Sequence, residues 1–70
     1  MTTINIDYDV SDDAVKRVRA ALDDVAKRDP NWNGAEFTIA RNDFTSIDSD
    51  DEIAGASLLH SVVFPAIRGE

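Results

Sequence analysis

Seventy residues with 14 acids, seven Lys or Arg and a net charge of −7 leave room for one domain and one small core. There is no cysteine, so neither a disulfide nor a thiolate metal site can staple it. No apolar run approaches membrane-spanning length, the first residues lack the basic-then-apolar pattern of a signal peptide, and the acidity repels nucleic acid and anionic lipid; a soluble, cytoplasmic chain is expected.

Thr3 to Val10 alternates, with Ile4, Ile6, Tyr8 and Val10 on one side and Thr3, Asn5, Asp7 and Asp9 on the other. That is the period of a half-buried strand with two carboxylates on its wet face. Ser11 then stands where an N-cap belongs, and Asp12 and Asp13 follow where the helix dipole favours acids. Val15, Val18, Leu22 and Val25, supported by Ala14, Ala21 and Ala26, mark an amphipathic helix that Asp29-Pro30 stops near Arg28. Asp12–Lys16, Asp13–Arg17, Asp23–Lys27 and Asp24–Arg28 each place an acid four residues before a base, worth roughly 0.2–0.5 kcal/mol per pair. The helix bases thus serve the helix, and are not a nucleic-acid patch.

Pro30-Asn31-Trp32-Asn33-Gly34 is rich in turn formers. Trp32 either covers the end of the core or anchors a partner, and core cover is preferred. A second strand is expected over Ala35–Ala40, with Phe37 and Ile39 on one face and Glu36 and Thr38 on the other. Arg41-Asn42-Asp43 then reads as a hairpin loop to a third strand at Phe44–Asp48, pairing Ala40 with Phe44, Ile39 with Thr45 and Phe37 with Ile47. Ser49 and Glu52 have capping-box spacing and open a second helix that ends before Pro65. A strand over Ser57–Phe64 competes with it, because Val62-Val63-Phe64 is strand-like. The helix carries Ala56, Leu59 and Val63 centrally. Gly55, Leu58 and Val62 form an apolar strip that one sheet cannot cover, which suits a homodimer or a partner. The expected fold class is α+β: a two-layer sandwich in β-α-β-β-α order, with a small, mainly antiparallel sheet and two helices on one face.

The charge is segregated. Asp12 to Asp29 holds five acids and five bases, whereas the remainder holds nine acids against Arg41 and Arg68, which accounts for the whole −7. A one-signed surface projects a field that a mixed one cancels. The candidate partner-binding surface is Asp7, Asp9, Glu36, Asp43, Asp48, Asp50, Asp51 and Glu52. Asp7 and Asp9 would stand about 7 Å apart along a strand, a separation like that of successive phosphates on one nucleic-acid strand. Carboxylates so arranged can occupy Lys and Arg sites meant for phosphates. The plainer alternative is a solvated surface that keeps a small protein soluble.

Other chemistry finds little support. Asp48, Asp50 and Glu52 could face a cation, but counting a calcium loop from Asp48 puts Ile53 where it needs Gly and Leu59 where it needs Glu. His60 has Ser57 and Ser61 nearby but no orienting acid, so a packing role is preferred to catalysis. Neither Gly55 nor Gly69 lies in a phosphate-cradling motif. No catalytic residue, metal site or cofactor is assigned.

Small, acidic, single-domain, free of enzyme motifs: in overall character the chain resembles phage-encoded anti-CRISPR and anti-restriction proteins. The resemblance implies a non-enzymatic inhibitor acting in the host cytoplasm. It would block a Cas or restriction protein at the basic surface that contacts DNA. A small structural or adaptor domain with a halophile-type acidic surface is the alternative, and the Asp excess with only two lysines, Lys16 and Lys27, suits it as well.

Overall fold

Ile4 and Ile6 are fully buried, and the strand that carries them, β1 (Thr2–Asp7), lies at the centre of the sheet. Burying such side chains stabilises by roughly 1.5–3 kcal/mol each, and a strand paired on both edges shields them best. In the computed structural model, which describes residues 2–28 and 37–70, β1 is followed by α1 (Asp12–Arg28), β2 (Phe37–Asn42) and β3 (Ser46–Asp48). A long second helix comes last, in three segments: α2 (Glu52–Leu58), a wider π-helical stretch at Leu59–Val63, and α3 (Phe64–Arg68). The class is α+β, built on a three-stranded mixed sheet in the order β2-β1-β3.

The pairing corrects the expected hairpin. β2 does not pair with β3: it runs parallel to β1, from Thr2 opposite Phe37 to Asp7 opposite Asn42. β3 lies on the other edge, antiparallel, with Ile4 opposite Ile47. The sheet is therefore mixed rather than mainly antiparallel. Parallel neighbours need a long crossover, and α1 supplies it. Arg41 and Asn42 belong to β2 rather than to a turn, each held by a partner outside the strand. Arg41 donates to the Val10 carbonyl (3.0 Å) and pairs with Asp12, and the Asn42 amide donates to Asn5 Oδ1. Only residues 43–45 remain to carry the chain across the end of β1. The expected strand positions Ala35 and Glu36, and the connection containing Trp32, lie outside the described residues.

β1 also ends earlier than its alternation suggests. Tyr8 and Asp9 form a turn closed by the Val10 amide on the Asp7 carbonyl (3.0 Å) and by the Asp9 amide on Asp7 Oδ1 (3.0 Å). This is the local bonding through which aspartate competes with a continuing strand. Tyr8, expected on the core face, is instead 62% exposed.

Ser11 caps α1 as expected, its hydroxyl accepting the Ala14 amide (3.2 Å). Val18 and Leu22 reach a core completed by Ile4, Ile6, Val63 and Ala66. The bases of α1 are largely engaged. Arg28 pairs with Asp24 (2.7 Å), and Arg19 sits 5.5 Å from the centre of the Phe37 ring. Arg17 leaves the expected Asp13 partner and donates to the carbonyls of Ala66 (2.9 Å) and Ile67 (3.0 Å). Gly69, at φ 81°, and Glu70 donate back to Ala66 and Pro65, so the last turn of α3 has its carbonyls satisfied.

The second helix does not stop before Pro65. Its turn widens first: Phe64 donates five residues back, to the Leu59 carbonyl. Proline lacks an N–H and its ring crowds the carbonyl four residues before it. A π-turn gives that carbonyl room, and Pro65 then sits in the first turn of a fresh α segment, where it is tolerated. Helix, not strand, therefore occupies 57–64. Its N-cap is Asp51 rather than Ser49: one Asp51 oxygen accepts both the Ile53 and Ala54 amides (3.1 Å each). Ser49 instead donates its hydroxyl to the Asp51 carbonyl (2.7 Å). Gly55 is buried against β3, so the expected uncovered strip loses that residue; Leu58 and Val62 are half-buried, and Val62 packs on the core.

Candidate binding site at the carboxyl end of the sheet

Two loops meet where β1 and β2 end. One runs from Asp7 through the Tyr8-Asp9 turn to the first turn of α1; the other is the Asp43-Phe44-Thr45 link. They are fastened together by the Asp7 amide, which donates to the Thr45 hydroxyl (3.1 Å). In the sequence these stretches have the pattern of a strand, a helix start and a hairpin. The parallel placement of β2 gathers them at one end.

The charge gathers with them. Residues 7–13 and 41–45 together contain five acids, Asp7, Asp9, Asp12, Asp13 and Asp43, and one base, Arg41. Arg41 is already engaged by Asp12 and the Val10 carbonyl. Asp12 and Asp13 were missed as site residues because sequence alone paired them with Lys16 and Arg17. Arg17 is instead drawn away to α3, and Asp12 turns to Arg41. Nothing in the local sequence signals either choice.

Of the expected site residues, the structure brings Asp7, Asp9 and Asp43 to one end, but Asp7 and Asp9 do not share a strand. Asp9 lies in the turn, beyond the strand, and its amide is held by the Asp7 carboxylate. Asp48 stands opposite Thr3, on the sheet face turned from the core, four residues or about 13 Å along β1 from Asp7. Asp50 and Asp51 follow it, and Glu52 opens α2, so this second group belongs to the other end of the sheet. There the Asp51 carboxylate is used as a helix cap. Glu36 lies outside the described residues. The seven described candidates thus divide between two ends of the molecule.

The face of the sheet between these ends is polar and partly self-satisfied. The Asn42 amide donates to Asn5, and the Asn5 amide donates to Ser46 (3.1 Å), a row that crosses all three strands. At the carboxyl end, by contrast, two aromatic rings face water: Tyr8 is 62% exposed and Phe44 57%. Ile53, at the opposite end, is the other exposed large apolar side chain among the described residues. His60 is exposed and rests edge-on against Phe64, with ring centres 5.5 Å apart, while the Ser61 hydroxyl donates to the Ser57 carbonyl. Among the described residues no group of three or more His, Cys, Asp or Glu could hold a metal ion, and no helix is long and apolar enough to cross a membrane.

Comparison with protein-family models, curated proteins and solved structures returns no match, so the reading of this site rests on its geometry.

Proposed function

We propose that this chain is a non-enzymatic binding protein that offers carboxylates to a basic, nucleic-acid-binding partner. It acts as an inhibitor of the anti-CRISPR or anti-restriction kind, in the cytoplasm of the cell that holds the target. The reading takes the fold as two layers, with both helices on one face of the sheet and the partner approaching from the carboxyl end. The observation that carries it is the accumulation of Asp7, Asp9, Asp12, Asp13 and Asp43 at one end of the sheet, where Arg41 is already paired. Such a pole attracts a positively charged surface before contact, and screening limits its reach to about 8 Å at physiological ionic strength. It also occupies the Lys and Arg side chains that DNA would use. A homodimer through Leu58 and Val62 is a separate part of the proposal.

The test is competition. Purified Cas and restriction complexes are assayed for DNA binding with and without the protein, across a salt series. Displacement of DNA that weakens as salt rises supports the reading. Replacing Asp9 and Asp43 by Asn should then cost more than replacing Asp23 and Asp24, which lie on the charge-balanced helix. Equal losses point to net charge alone. Absence of competition with every complex leaves the acidity as solvation, the halophile-type alternative.

A further inference from the structure

Charge alone explains attraction but not why two aromatic rings stand in water amid the carboxylates. Tyr8 is turned out because Asp7 and Asp9 close a turn where the strand would have carried it inward. Phe44 sits at the middle of a three-residue link whose neighbour Thr45 is tied to Asp7, so both rings stand on loops joined to each other. Both face outward at the same end as five acids. A chain of 70 residues has few large apolar side chains to form a core, and leaving two of them exposed gives up burial that would stabilise it.

We propose that Tyr8 and Phe44 form the contact centre of this surface and that it takes arginine side chains from a basic polypeptide segment. The inference rests on the reading above and names what that reading leaves open, the chemistry of the contact. Arginine is the side chain that matches both halves of the patch. Its flat guanidinium stacks on an aromatic face, and its fork of donors meets a carboxylate at two points. Lysine offers a point charge and loses the second advantage. Aromatic anchors surrounded by polar residues are also the usual composition of an energetic centre in an interface. The other occupants suit the patch poorly. Nucleic acid and anionic lipid are repelled by Asp7, Asp9, Asp12, Asp13 and Asp43, and a second copy docked end to end would set five acids against five.

The experiment titrates the whole chain with octa-arginine and octa-lysine peptides at physiological salt, followed by calorimetry and by the ring signals of Tyr8 and Phe44. Wild type should prefer octa-arginine and shift both rings. The Tyr8→Ala/Phe44→Ala variant should lose the part of that preference that stacking supplies and weaken toward octa-arginine by at least about five-fold, with circular dichroism confirming an unchanged fold. Asp9→Asn/Asp43→Asn should weaken both peptides, octa-arginine the more, because only its fork meets a carboxylate at two points. If the ring variant binds octa-arginine as wild type does, the aromatic contact is overturned while the acidic reading stands. Conversely, if neither peptide binds wild type, the arginine contact is overturned directly. The DNA-competition assay then decides separately whether the broader reading falls with it.

Discussion

Replacing Gly55 with Ala is the sharpest test of how the second helix sits on the sheet. Gly55 is in the first turns of α2, where alanine is intrinsically favoured over glycine by about 0.8–1.0 kcal/mol. Against that gain, an added Cβ would lie 3.0 Å from Ser49 Oγ and 3.3 Å from Ile47 Cγ2. Neither neighbour yields freely. The Ser49 hydroxyl is held on the Asp51 carbonyl at 2.7 Å, and Ile47 is a β-branched side chain in β3, opposite the buried Ile4. Inserting a methyl group into such a contact costs about 1–3 kcal/mol, so the steric term should win and leave a net loss of about 1 kcal/mol. Urea unfolding measures it, provided the slope of free energy on denaturant is unchanged. Gly55→Ala should be milder when made on Ser49→Ala, because the nearer of the two contacts is then gone; the difference between the two backgrounds isolates that contact. A stabilisation of about 1 kcal/mol in the wild-type background would refute the argument. It would mean that Gly55 faces water, as part of the uncovered strip that its sequence position suggests.

Leu22→Ala, at a fully buried position on α1, should lower stability by about 2–5 kcal/mol in the same assay, and a loss under half a kcal/mol would place that face outside the core. Arg17→Met keeps an apolar stem but removes two donors from the end of α3; a loss on the order of 1 kcal/mol is expected, with faster amide exchange at Gly69 and Glu70, and unchanged exchange would show that the bonds are dispensable. Sedimentation of wild type and Leu58→Glu tests self-association: a dimer that dissociates in the variant supports it, and a monomer in both removes it. EDTA should leave the melting temperature unchanged, and a large drop would restore Asp48, Asp50 and Glu52 as cation ligands.

What the sequence alone determined is local. The Ile4 and Ile6 alternation, the Ser11 cap and the Val18–Leu22 stripe are written in residues a few positions apart, and helix and strand periods depend on nothing further. The acid excess outside α1 was legible in the same way, by counting. The tertiary structure decided which strand pairs with which. Three residues between β2 and β3 suit a hairpin as well as they suit a bridge over the end of β1. The choice turns on burying Ile4 and Ile6 from both edges and on the distant partners of Arg41 and Asn42. Long-range selection also moved Arg17 to α3 and Asp12 to Arg41, and the parallel placement of β2 brought Asp43 to the end where Asp7 and Asp9 stand. The π-turn before Pro65 is of the same kind: proline says that a regular helix must yield there, but only packing of Val63 and Ala66 on the core determines that the helix widens and continues rather than ends. A side chain's partner is settled by every group that competes for it, and most of those competitors are far away in sequence.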